Sequence, residues 1–230
     1  MIDFGYLQDA IPFILKGVPV TLGITGISFV IGIVIGLVVA LLRIYKIPVL
    51  TQLAGIYISF TRGTPLLVQI FLIYYGIPLL FKQLAIMPYL SSISPFYYLC
   101  IAFSFNIGAY LAETIRSGIL SVPAGQIEAA NAMNMPTLSV FLFIILPQAL
   151  AIAMPSIGNL LLIQLKNTSL AFVIGVPEII GEAKIIAGRT SRIFEVYLIA
   201  AFVYWGICLV LEQILLIIER HFTKHFRRAA

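Results

Sequence analysis

Two ionisable residues, Glu113 and Lys166, stand in stretches that are otherwise apolar. A charge in hydrocarbon costs roughly 3 kcal/mol on insertion scales unless it is paired or lines a wet cavity. Polar Gln69, Asn106, Tyr110, Asn167, Thr168 and Ser169 fall in or beside the same stretches. Asn106, Tyr110 and Glu113 are spaced i, i+4, i+7, which puts them on one helix face. A zwitterion needs an anion for its ammonium and a cation for its carboxylate, and Glu113 and Lys166 supply one of each. Together these residues form a candidate binding set for a small zwitterionic solute near the middle of a membrane. A second reading fits the charged pair equally well. Glu113 and Lys166 could form an ion pair that fixes helix packing, and the neutral amides could bridge helices. Catalysis has no comparable support. There is no Gly-x4-Gly-Lys-Ser/Thr loop and no nucleophile–base constellation. His221 and His225 stand alone in a basic tail, which reads as a membrane-surface tail. Cys100 and Cys208 lie in separate apolar runs, as buried thiols without metal or disulfide spacing. No catalytic or metal-binding residue is expected.

The elements that position these residues must be membrane helices. Of 230 residues, 61% are hydrophobic and 10% charged, against about 25% charged in a soluble domain. The bilayer therefore replaces water as the main solvent. Uncharged or nearly uncharged runs mark five spans, at about 18–42, 64–81, 96–116, 152–176 and 196–218. Residues 1–17 are too acidic for a cleaved signal peptide. Gly32 and Gly36 form a small-xxx-small pair that would permit close helix contact. Pro65 suits the first turn of the second span. Residues 82–95 and 177–195 read as loops. The fourth span has two placements: charge alone gives 140–165. The preferred one lays 135–150 along the membrane surface and starts the span near Ala151 or Pro155. The net charge of +5 is no nucleic-acid signal, because the bases segregate by side. Arg43, Lys46, Arg62, Arg116, Arg220, Lys224, Arg227 and Arg228 share one side. By the positive-inside rule that side is cytoplasmic. The C-terminus is then inside and, with five spans, the N-terminus outside.

Gln126-x-Glu128-Ala129-Ala130, three residues, Asn134, nine residues, Ile144-x-Leu146-Pro147 resembles the cytoplasmic coupling motif of binding-protein-dependent ABC importer permeases. The family pattern has Gly where this chain has Asn134, and Asn is the next most tolerant residue of a left-handed backbone. Further stretches resemble the polar-amino-acid subgroup. They are Thr61-Arg62-Gly63-Thr64-Pro65-Leu66-Leu67-x-Gln69, Ala109-Tyr110-x-Ala112-Glu113-x-x-Arg116-x-Gly118, Ile145-Leu146-Pro147-Gln148-Ala149 and Lys166-Asn167-Thr168-Ser169-Leu170.

The resemblance implies an all-α membrane protein of five transmembrane helices with a cytoplasmic coupling helix, an ABC importer type I-like permease. Residues 1–230 would be one permease domain with a coupling segment at 126–147. Gln126, Glu128, Ala129, Ala130 and Asn134 would meet an ATP-binding cassette ATPase subunit. That partner would carry ATP and Mg, with no cofactor in this chain and no enzyme activity. An extracytoplasmic substrate-binding protein, a second permease copy in a homodimer and membrane lipid complete the partners. The setting would be a bacterial inner (plasma) membrane. Family members for basic amino acids often have Asp after the lysine, where Asn167 stands here. Loss of that charge ranks L-cystine first, then other neutral polar amino acids, then arginine or histidine. Residues 168–179 also resemble those of bacterial cystine permeases. The alternative is an ion-driven secondary transporter or channel subunit, which leaves the 128–147 spacing unexplained.

Overall fold

The computed structural model describes the backbone of residues 4–83 and 93–223 and the side chains of 9–83 and 93–221. Among these residues there is no strand. The chain forms α1 (Phe4–Leu15), α2 (Val18–Ile44), α3 (Leu50–Gly63), α4 (Leu66–Gln83), α5 (Pro95–Leu120), α6 (Ala124–Ala132), α7 (Thr137–Val140), α8 (Leu146–Asn167), α9 (Ile179–Thr190) and α10 (Ile193–Thr223). A π-helical turn, Phe141–Ile145, joins α7 to α8, and a 3-10 turn, Thr168–Ile174, extends α8. Five stretches are long and apolar enough to cross a membrane: Asp9–Ile44, Leu66–Gln83, Pro95–Leu120, Thr137–Ile174 and Ile193–His221. Lys224, His225, Arg227 and Arg228 lie outside the described residues, as do residues 84–92.

The fold is built around α5, which buries Leu99, Phe103, Ile107 and Leu111. α2 lies along it, and the close approach has a plain cause. A Cβ on Gly32 would sit 2.3 Å from Ile107 Cγ2, and one on Gly36 would sit 2.8 Å from Leu111 Cβ. The small pair lets the two backbones meet, as in other membrane helix contacts. By contrast, α10 turns Phe202, Trp205, Val210 and Ile217 outward.

Two expectations are corrected here. Residues 177–195 are not a plain loop, because they contain α9. Ile179, Ala183 and Ala187 recur every four residues and pack with Ala10 and Ile14 of α1 and Val196 and Ile199 of α10. Residues 135–150 do not lie flat ahead of a separate span either. One helical rod runs from Thr137 through Asn167. Pro147 has no N–H to give and breaks the regular ladder, and the wider π turn just before it absorbs the defect. Gly118, near the C-terminal end of α5, abuts Ala149, so the rod overshoots α5 by about three turns at 3.6 residues each.

Candidate functional site

The break between α3 and α4 sets the site. Gly63 ends α3, Thr64 is extended (φ −119°, ψ 147°), and Pro65 follows. Pro65 has no N–H, so the Thr61 carbonyl loses its helical partner. Gln69, buried on α4, supplies the substitute. Its Nε2 donates to Thr61 O at 2.8 Å, Thr64 Oγ1 at 2.9 Å and Thr64 O at 3.1 Å. Its Oε1 accepts from Asn106 Nδ2 at 2.9 Å. The break is thereby tied to the middle of α5.

A cavity of about 410 Å³ opens beside this tie. Thr64, Pro65 and Leu66 form one wall, Asn106, Ile107 and Tyr110 of α5 another, and Leu160, Ile163 and Asn167 of α8 a third. Of the sequence-derived candidates, the fold brings together Asn106, Tyr110 and Asn167 here. With Nδ2 held by Gln69, Asn106 Oδ1 accepts no hydrogen bond among the described residues. The Arg62 guanidinium lies 5.6 Å from the Tyr110 ring centroid, within cation–π range.

The other candidates point elsewhere. Gln69 braces the wall and does not line this cavity. Glu113 is not paired with Lys166. It binds Arg116 Nη2 at 3.0 Å and Arg43 Nη1, half-buried toward the C-terminal ends of α2 and α5. Lys166 is exposed on the outside of α8. The reason is the helical step: one residue turns about 100°, so a helix that aims Asn167 into the cavity swings Lys166 away. Thr168 is buried, donating to Leu165 O at 2.7 Å and lying 3.1 Å from Tyr204 Oη. Ser169 donates to Lys166 O at 2.9 Å.

Sequence reading missed Glu178. It is fully buried and caps α9, accepting from Gly181 N at 3.0 Å, with Oε2 lying 2.6 Å from Tyr204 Oη. Burial, the largest influence, pushes its carboxyl above the ordinary range, and the backbone donors of Ile180 and Gly181 offset only part of that. No capping signal in the sequence marked it, because Glu is not among the residues that favour an N-cap.

At the opposite end, α6 exposes Gln126, Glu128 and Ala129 and buries Ala130. Asn134 has φ +56°. Around it, Met135 N donates to Ala130 O at 3.2 Å and Asn134 N to Asn131 O at 2.9 Å. That is the paired closure that a left-handed residue just past a helix end provides. Gln148 Nε2 then donates to Gln126 Oε1 and to Ile144 O, fastening α6 to the start of α8.

A helical membrane domain, a cavity between its spans with amides and hydroxyls in an otherwise apolar wall, and a short exposed helix at one end define a transporter's membrane subunit. Residues 32–224 match the family described as "Binding-protein-dependent transport system inner membrane component", and the chain belongs to that family. It is an amino-acid ABC importer permease subunit. It is 37% identical over 226 residues to a probable amino-acid ABC transporter permease protein, PatM, of Vibrio harveyi, covering 98% of this chain and 99% of that one. It is 39% identical over 226 residues to the L-cystine transport system permease protein TcyL of Bacillus subtilis (strain 168), covering 98% and 94%. A crystal structure described as an amino acid ABC transporter with histidines superposes with a TM-score of 0.84 at 34% identity, covering 96% of this chain and 99% of that one.

Proposed function

We propose that this permease carries a polar amino acid of zero net charge, with L-cystine ranked first. The observation that carries the reading is the cavity lining. Asn106, Tyr110, Asn167 and Thr64 offer neutral donors and acceptors, and among the described residues no charged side chain lines the space. An ionic side chain would enter a low-dielectric wall with no counter-charge. A zwitterion of balanced charge meets amides and hydroxyls instead. The volume falls within the usual range for small-ligand sites, about 300–1,000 Å³. Likeness to the cystine permease supports the ranking. Likeness to the transporter structure described with histidines keeps histidine third, with arginine, behind other neutral polar amino acids.

In this reading an extracytoplasmic binding protein delivers the amino acid and a separate ATPase subunit, holding ATP and Mg, drives its passage. The exposed face of α6, with Gln126, Glu128 and Ala129, docks in the ATPase, and buried Ala130 lets that helix sit close to the rest of the chain. Asn134 closes that helix. Two copies of the chain form the pathway in a bacterial plasma membrane, surrounded by lipid, with the N-terminus outside and the C-terminus in the cytoplasm. The test is uptake of labelled L-cystine in cells carrying this chain as their sole such permease, with unlabelled competitors. Strong competition by cystine and weak competition by arginine is expected. Strong competition by arginine with none by cystine analogues overturns the ranking.

A further inference from the structure

The hydrogen bonds around Glu178 contain one more contact than their hydroxyls can fill. Leu165 O, Thr168 Oγ1, Tyr204 Oη and Glu178 Oε2 form a chain with separations of 2.7, 3.1 and 2.6 Å. All lie within hydrogen-bond range for oxygen pairs or just beyond it. Thr168 and Tyr204 bring one hydrogen each. With Glu178 ionised, one of the contacts would set lone pair against lone pair. A protonated carboxyl supplies the missing hydrogen. Glu178 Oε2–H then donates to Tyr204, Tyr204 to Thr168, and Thr168 to Leu165 O. Glu178 Oε1, as the carbonyl oxygen, accepts from Gly181 N at 3.0 Å.

The surroundings agree with a neutral acid. Glu178 is fully buried, and its side-chain partners are Tyr204 of α10 and Thr21 of α2. The charges on the elements packed around it go elsewhere. Lys16, before α2, lies over the Phe13 ring of α1, and Lys184 of α9 lies over the Phe172 ring of the 3-10 turn. Asp9 of α1, Glu182 of α9 and Glu195 of α10 are acids and bring it no counter-charge. The backbone is shut as well: a Cβ on Gly17 would sit 2.5 Å from Glu178 C.

The far end of the chain is the turn at Thr168, adjacent to Asn167 in the cavity wall. We infer that Glu178 is a protonated positioning residue whose carboxylic acid, through Tyr204 and Thr168, holds the turn that presents Asn167 to the cavity. The inference deepens the reading of that cavity as the amino-acid site and rests on it. The sign of the pH dependence follows. Burial raises the carboxyl above its ordinary range, so the bonds that need the proton are intact at lower pH. They are lost as pH rises through the raised value.

Two measurements test it. Infrared spectra of the full chain in lipid nanodiscs at neutral pH should show the carbonyl stretch of a protonated carboxyl, absent from Glu178→Gln. Uptake of labelled L-cystine, in cells where each variant replaces the native chain, should decline at alkaline pH. Glu178→Gln, whose amide donates to Tyr204 and accepts from Gly181, should keep uptake and flatten that profile. Tyr204→Phe should lower apparent affinity about fivefold, the size of one lost hydrogen bond, at normal protein level. A spectrum without the Glu178 band overturns the inference. So does a Glu178→Gln profile that slopes like the native one, or a loss of uptake in Glu178→Gln equal to that in Tyr204→Phe. A chain that shows the band yet imports no amino acid keeps the proton but overturns both the cavity reading and the positioning role.

Discussion

Asn106 donates to Gln69 across 2.9 Å, joining the middle of α5 to the broken end of α3. One buried side chain thus closes the gap that Pro65 opens and fixes which way the Asn106 amide faces. Gln69→Leu removes both functions at once. It leaves the Thr61 carbonyl and the Asn106 amide without partners, a penalty of about 1–3 kcal/mol for each buried group. Lower thermal stability in detergent and weaker amino-acid uptake are expected. A Gln69→Leu chain with native melting behaviour would show that the break holds without it.

Asn167 is the residue on which substrate charge depends. Asn167→Asp places a carboxylate in a wall of amides and hydroxyls, so uptake should shift from L-cystine toward arginine and histidine. Competition assays across cystine, glutamine and arginine read this directly. Unchanged preference would remove Asn167 from the site. Asn106→Ala should lower uptake of all three while the protein level stays normal.

Glu113 and Lys166 should respond differently to truncation. Glu113 holds Arg43 and Arg116, joining α2 to α5, and Glu113→Ala leaves two like charges facing each other. The group is 23% exposed, so screening limits the loss to about 1–2 kcal/mol, less than for a fully buried pair. Lys166→Ala breaks no ion pair among the described residues and should leave thermal stability unchanged. Equal destabilisation by the two substitutions would contradict the observed pairing.

Glu128→Arg reverses the charge on the exposed face of α6 without touching the spans. Transport should be lost and the chain should still reach the membrane. Asn134→Gly should be tolerated, since Gly enters the left-handed region without steric cost. Asn134→Val should cost roughly 1–2 kcal/mol, because a β-branched residue at positive φ is strained. Pull-down of the ATPase subunit and thermal melting separate the two effects. Native transport by Glu128→Arg would rule out the docking role of this face.

What the sequence determined by itself is local along the chain. Five apolar runs specify membrane helices because hydrocarbon tolerates few other structures. Asn134 could be expected to turn left-handed because its spacing from Glu128 and its own side chain decide that turn. Gly32 and Gly36 announced a close contact because only small residues permit one. Tertiary structure decided how each helix is rotated and what it meets. That rotation puts Asn167 in the cavity and Lys166 on the outside, although the two are adjacent in the chain. It gives Glu113 its partner Arg43, 70 residues away, and brings Thr21 within 3.4 Å of Glu178 across 157 residues. The continuous rod of α8 and the one-sided packing of helix α9 likewise depended on neighbours. Apolar periodicity shows that a face is buried, and the packing of whole helices around α5 selects the partner that buries it.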